Sequence, residues 1–304
     1  MAGVITRSAF SKALWEGINS WYGDAYLEHP VEWTGLFDTY SSGKAFEEDV
    51  NISGFGLAAV KPEGEAVAYD SMTQGWTTRY THTEYGLGFV ITNLMVADDQ
   101  YMVVGQKKAR ALAFSMRQTK EVVAHNVYNR GFNSAFTGGD GLPLLDIAHL
   151  NVASGTWQNE LSTASDLSES ALEELLIVMS KWTNDRGLQI NVRAQSLHIP
   201  TDLEFEANRI LQSTLRVGTA ENDLNAIRYL NKFPQGIHTH HYFTDTDAWF
   251  FRNKCDDGMK YFEREGDEFN EDNEFETKNL KYQATARYSF GWSDARDVAG
   301  SPGA

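Results

Sequence analysis

Apolar and polar positions alternate along this chain with two different periods, and each segment can be sorted by the period it keeps. Phe10, Leu14, Ile18 and Tyr22 recur near every 3.6 residues, which predicts a short amphipathic helix over residues 10–22. Residues 28–40 keep neither period. Rich in large rings (Trp33, Phe37, Tyr40), they read as an extended arm that needs a surface to lie against. Further on the period drops to two: Thr77, Arg79, Thr81 and Thr83 alternate with Thr78, Tyr80, His82 and Glu84, a strand by composition and by spacing. Residues 50–60 form a second extended segment with glycines at 54 and 56, and Lys61-Pro62-Glu63-Gly64-Glu65 between the two is a turn former. The pair predicts a long two-stranded ribbon with a polar tip. A lone ribbon is marginal in water, so this one must lean on another surface.

The helical period returns over residues 98–130, where Tyr101, Val104, Lys108, Leu112, Met116, Val123 and Val127 line one side. Asp98-Asp99 suit its positive end and Gly131 can end it. Such a helix would span about 45–50 Å, long for a globule and natural for a strut. A loop-rich stretch follows over 138–163, then a helix over 168–182 with Leu172, Leu175, Leu176 and Met179 on one stripe. Ser170 with Glu173 predicts a capping box for that helix, and Thr201 with Glu204 predicts another for the next. Residues 213–233 read as an exposed loop with some helical content (Leu224, Ile227, Leu230), and 238–252 alternate partly as strand. Leu280 to Trp292 alternate best of all, with Tyr282, Ala284, Ala286, Tyr288 and Phe290 on one face. Residues 301–304 read as a frayed end. The pattern is α+β, without an internal repeat.

Composition narrows the class. At 304 residues the chain makes one large core or two intimate subdomains. Apolar content of 42% and charged content of 22% exclude general disorder. Apolar runs fall short of the roughly 20 residues that span a bilayer, and the start carries no signal-peptide apolar region, so no membrane partner is expected. Cys255 stands alone, which excludes an internal disulfide and fits a reducing compartment. The net charge of -16 argues against tight nucleic-acid binding, which calls for a basic stripe. The only basic cluster is Lys107-Lys108 with Arg110.

Candidate chemistry is sparse. His238, His240 and His241 invite a zinc reading, but 240 and 241 point opposite ways on a strand, so they read as polar strand or loop residues. Asp245 and Asp247 beside Trp249 resemble a carboxylate pair near a sugar-stacking ring, and only their separation in space would decide that. Residues 256–276 hold ten acidic and two basic residues without the ligand register of a calcium loop, and read as a solvated charged edge. Cys255 has no His and base nearby in sequence, and Gly138-Gly139-Asp140-Gly141 lacks the Lys-Ser/Thr of a phosphate loop. No catalytic, cofactor-binding or metal-binding residue is expected.

The order of these pieces resembles the major capsid proteins of tailed bacteriophages, the HK97-type fold. Asp140-Gly141-Leu142-Pro143-Leu144 with His149 looks like that family's turn after its spine helix. Residues 166–172 followed by Leu197-His198-Ile199-Pro200-Thr201-Asp202-Leu203-Glu204 look like the axial domain's helix, strand and second helix. Arg287-Tyr288-Ser289-Phe290-Gly291-Trp292 is similar to the last peripheral strand, and the ribbon sits where the extended loop belongs. The resemblance implies an N-terminal arm (1–45), an extended loop (46–92), a peripheral domain with the spine helix (93–150), an axial domain (151–252) and a return to the peripheral domain (253–304). It further implies a non-enzymatic subunit that assembles with itself into hexamers and pentamers of an icosahedral shell, built in the host cytoplasm. The shell would enclose double-stranded DNA that is nearby but not tightly bound.

A separate scaffold protein is expected instead of a fused one, since the arm begins almost at Met1, and a portal and cement proteins are expected partners. Trp33 and Phe37 on the arm, and Trp76 and Tyr80 on the ribbon, are the expected inter-subunit anchors. Lys61, Glu63 and Arg79 join them as inter-subunit contacts. Lys61 has no visible Asn and carboxylate with which to form the covalent bond some members make. Two other readings stay open: an encapsulin-like compartment of the same fold, and a carbohydrate-active hydrolase, suggested by eight tryptophans and many carboxylates.

Overall fold

A computed structural model describes residues 19–92, 94–95, 101–153, 155–215, 224–274 and 279–304. Most of the helix expected over 10–22 lies outside them. The first helix described, α1, runs over residues 19–28 and includes Tyr22, which stacks on Phe269 at 4.6 Å. A 3-10 turn at Trp33–Gly35 leads to β1 (Asp38–Ser41), β2 (Phe46–Ile52), β3 (Gln74–Thr81) and β4 (Thr83–Ile91). The long helix α2 (Tyr101–Asn129) follows the expected course, with Asp98 and Asp99 outside the described residues. Gly131 ends it by close approach: a Cβ there would lie 2.9 Å from the Tyr128 carbonyl oxygen.

Two four-stranded sheets flank the helix. The first orders β1, β10 (Met259–Asn273), β11 (Leu280–Trp292) and β4, with β1 parallel to β10 and the other pairs antiparallel. The alternation predicted for β11 is realised, with Tyr282, Ala284, Ala286 and Tyr288 buried. Ala109, Ala113 and Ala124 on α2 are fully buried, and their small side chains let helix and sheet approach closely. The acidic stretch is mostly β10, whose Met259, Tyr261 and Phe262 are buried while its outer carboxylates face water.

The second sheet orders β12 (Val298–Ser301), β9 (Trp249–Asn253), β7 (Ala194–Pro200) and β8 (Ile237–His240). Helices α3 (Glu169–Ser180) and α4 (Glu204–Gln212) pack on it through Leu172, Leu175, Met179, Ala207 and Ile210. A short α5 (Ala226–Tyr229) and the two-residue strands β5 (His149–Leu150) and β6 (Thr156–Trp157) complete the chain. Residues of both sheets share one apolar core, so the two subdomains are intimate.

Four local expectations are corrected. The cap of α3 is Ser168, which accepts from the Ala171 N–H at 3.2 Å, because the helix begins at Glu169 and places Ser170 inside it. Thr201 opens a 3-10 turn that runs into α4 without a side-chain cap. Residues 83–91 do not belong to a protruding loop, because β4 pairs with β11 and sits under α2. The chain end is not frayed. β12 joins the second sheet against β9, so the last segment serves both sheets, and the Ser301 hydroxyl accepts from Ser165 N and donates to Ser165 O.

The arm finds its surface on α2 of the same chain. Arg117, Lys120, Glu121 and His125 form a buried polar stripe at i, i+3 and i+4 spacing. The Glu121 carboxylate accepts from the backbone N–H groups of Glu32 (3.1 Å) and Trp33 (3.0 Å), capping the 3-10 turn. Arg117 donates to His29 O, and Tyr128 OH donates to Leu36 O. Arg252 on β9 holds the other side, donating to Gly35 O at 3.0 Å and pairing with Asp38 and Asp297.

Removing residues 301–304 is expected to destabilise the unassembled subunit by about 2 kcal/mol or more, because buried hydrogen-bonding groups lose their partners. Urea unfolding followed by circular dichroism checks this, and an unchanged midpoint would mean the end contributes nothing.

Candidate assembly surfaces

The β2–β3 ladder runs from Phe46↔Thr81 to Ile52↔Gln74, and Arg79 pairs across it with Glu48 (3.7 Å) and lies over the Phe46 ring. One more rung, Ser53 N to Thr73 O at 2.9 Å, closes it. Residues 54–72 continue outward without a ladder, turning at 63–64, where the Glu65 N–H reaches Pro62 O. This projection carries Phe55, Leu57, Val60, Val67, Tyr69 and Met72, all exposed, with Tyr69 at 96% and Val60 at 94%. Apolar area left in water is unfavourable by about 25 cal/mol per Å², so six exposed apolar side chains on one short projection mark a surface built to be covered.

Arg186 fixes the root of the projection. It sits in a turn where the Asn184 side-chain oxygen accepts from the N–H groups of Arg186 and Leu188, and Gly187 takes the left-handed φ the turn requires. Its guanidinium donates to Gly54 O (3.0 Å), Ser71 O (2.8 Å) and Asp70 Oδ1 (2.8 Å), so one planar group grips both limbs. The other Asp70 oxygen accepts from Gly56 N while Oδ1 also accepts from Ser71 N, and these backbone donors hold its carboxyl below the usual carboxylate range.

The seven expected contacts separate. Trp33 (7% exposed) and Phe37 (2%) are not surface anchors. They fill the chain's own core, Trp33 against Tyr261 at 4.5 Å and Phe37 against Phe290 at 4.9 Å. Tyr80 (3%) is likewise committed inward, with its ring on Phe262 and its hydroxyl 2.6 Å from Ser293 Oγ. Trp76 is half-buried over Gly139, where any Cβ would meet its indole at 2.6 Å. Arg79 is exposed and pairs within the ribbon, whereas Lys61 and Glu63 stand exposed at the tip.

Sequence reasoning missed the apolar limbs themselves. The signal was present: Gly54-Phe55-Gly56-Leu57-Ala58-Ala59-Val60 carries no charge and has no polar face to alternate with.

The structure also assembles histidines far apart in sequence. Ser196 Oγ, His198 Nε2 and Nδ1, His240 Nε2 and Nδ1, His125 Nε2 and Nδ1, and Glu121 O form an unbroken chain with links of 2.7, 2.8, 2.9 and 2.8 Å. The terminal carbonyl can only accept, so His125 Nδ1 must carry a proton, and neutral rings satisfy every link. Burial keeps them neutral, pulling His240 down to about 2 and His198 well below its ordinary value. His241 turns outward to Glu32 and His238 is exposed, so the three neighbours in sequence do not converge. Asp245 accepts from the Asp247 N–H within a turn, and burial with nearby carboxylates pushes the Cys255 thiol up.

Comparison with known proteins agrees with this architecture. No curated protein sequence matches the chain. The family model for phage capsid protein matches residues 75–300. Among solved structures, the virus-like particle from Pyrococcus furiosus superposes with a TM-score of 0.51 at 10% identity, over 94% of this chain and 98% of that one. The procapsid of bacteriophage JBD30 gives 0.51 at 15% identity, over 98% and 76%. The capsid of Ralstonia phage GP4 gives 0.52 at 12% identity, over 90% and 87%. With a matching family model over most of its length and the HK97-type fold, this chain belongs to the phage capsid protein family and is a major capsid shell protein.

Proposed function

We propose that copies of this subunit close into hexamers and pentamers of an icosahedral shell around double-stranded DNA, and that the projection of residues 54–72 is the element that binds one copy to the next. The single observation carrying this reading is the exposed apolar surface of Phe55, Leu57, Val60, Val67, Tyr69 and Met72 on a root held rigid by Arg186. A neighbouring copy supplies the cover that these side chains lack. Obligate interfaces of this kind bury about 2,000–5,000 Å². Lys61 and Glu63 at the tip join the contact, as does half-buried Trp76 on β3 at the ribbon base. Arg79, exposed at the foot of the ribbon, faces the same neighbour.

The residues reaching into the subunit's own core contribute indirectly, by keeping the arm and ribbon base in place. The subunit acts without catalysis, in the virion shell, after assembly in the host cytoplasm. A scaffold, a portal and cement proteins complete the particle. DNA lies inside without tight binding, since net charge of -16 opposes phosphate contact.

The same charge sets an ionic-strength dependence. Like charges on adjacent copies repel over a Debye length of about 8 Å at physiological salt, and added salt shortens that range. Particle formation, followed by light scattering, is expected to begin at lower protein concentration as salt rises from low to moderate. An onset independent of salt would remove the electrostatic account.

Val60→Asp combined with Tyr69→Asp is expected to abolish particles in negative-stain micrographs while leaving the subunit's unfolding midpoint unchanged, because neither side chain touches the core. Normal particles from this variant would sink the docking role.

Arg186→Ala is expected to speed protease cleavage within 54–72 severalfold. The global stability should fall by no more than about 1 kcal/mol, as suits a partly exposed ion pair. Cleavage at the unmodified rate would show that the root is held by other contacts.

A further inference from the structure

We infer that Glu32, His125 and His240 form a binding site for a first-row divalent metal ion, of which zinc is the best fit, joining the arm to the long helix and the second sheet. Their ligand atoms lie within 4.8 Å of one another. His125 Nε2 is 2.9 Å from His240 Nδ1, and Glu32 Oε2 is 3.8 Å from the same nitrogen. Ligands about 2.0–2.1 Å from a tetrahedral ion stand about 3.3–3.5 Å apart. The two separations to His240 Nδ1 bracket that value, and the Glu32–His125 separation lies within the 4.8 Å span, so the ligand atoms close on the ion by side-chain adjustment.

The surroundings supply what metal-ligating histidines use. Such a ring places its second nitrogen on a fixed partner, which sets the tautomer and the ring's orientation. His125 does this through Nδ1–H to the Glu121 carbonyl at 2.8 Å, on the helix backbone. His240 does it through Nε2 and His198 Nδ1 at 2.8 Å, and His198 continues to Ser196 Oγ. With an ion bound, His240 and His198 carry their protons on Nε2 instead of Nδ1. The same three imidazole protons then make every link except the one between His125 Nε2 and His240 Nδ1, which the ion replaces.

Glu32 is held as firmly. Its backbone N–H donates to Glu121, and its carboxylate accepts from the His241 N–H and from His241 Nδ1. Both rings are buried, whereas the Glu32 side chain is 16% exposed, so the carboxylate is the ligand nearest solvent. The rings are neutral, the form in which imidazole binds a metal.

Isothermal titration of zinc chloride into chelator-treated, unassembled subunit tests the inference, with cobalt(II) absorption reporting tetrahedral geometry. One ion per chain is expected, with a rise in unfolding midpoint that magnesium does not produce. Glu32→Gln and His240→Gln should each weaken binding at least tenfold. His198→Gln, acting as a positioning residue through His240, should weaken it about 10–100-fold. Glu63→Gln, at an exposed carboxylate on the tip of the projection, should bind as the unmodified chain does. If His240→Gln fails to fold, Glu32→Gln at the partly exposed ligand still decides. Absence of zinc uptake by the unmodified chain, or uptake unaltered in Glu32→Gln, would overturn the site and leave a purely hydrogen-bonded histidine chain.

Discussion

The placement of the arm rests on one carboxylate. Glu121 is fully buried on the long helix, and burial pushes its carboxyl up, so leaving it without partners would be costly. The N–H groups of Glu32 and Trp33 meet that need, and in doing so they fix where the arm turns. Once the turn is fixed, Trp33 and Phe37 fall into the core between the helix and the first sheet, and β1 is delivered beside β10. Arg252 then secures the same turn from the second sheet. A polar group buried for the sake of its partners organises an apolar core around it.

That arrangement divides the molecule into a part that satisfies itself and a part that does not. Arm, long helix and both sheets share one core. The projection of residues 54–72 buries little of its own apolar surface and is held at its root by Arg186 and Asp70. A rigid root with an uncovered apolar limb loses little conformational freedom on docking, which favours association between copies. The subunit's negative charge opposes the same step and gives the environment leverage over it.

The local elements of the fold were largely legible in the order of residues. Strand β11 could be read residue by residue, since one face packs on a helix and the other does not, and period two records that difference. The long helix was legible for the same reason, as was the order of the pieces. The ribbon was legible only in outline, since its ladder joins Phe46–Ile52 to Gln74–Thr81 where the sequence reads extended chain over 50–60 and 77–84. The caps were less so: Ser168 and Ser170 both suit an N-cap, and the choice depends on where the backbone leaves extended geometry.

The sequence by itself determined most of the helices and strands, the acidic balance, and a succession of pieces specific enough to indicate a shell subunit. Only the tertiary structure decided that Trp33, Phe37 and Tyr80 face inward, that the final strand crosses to the second sheet, and that His125 meets His198 and His240. The physical reason is range. Periodicity reports the environment of each face, whereas a residue's partner is set by chain segments more than a hundred positions away, and no local pattern encodes which of several apolar surfaces a ring will reach.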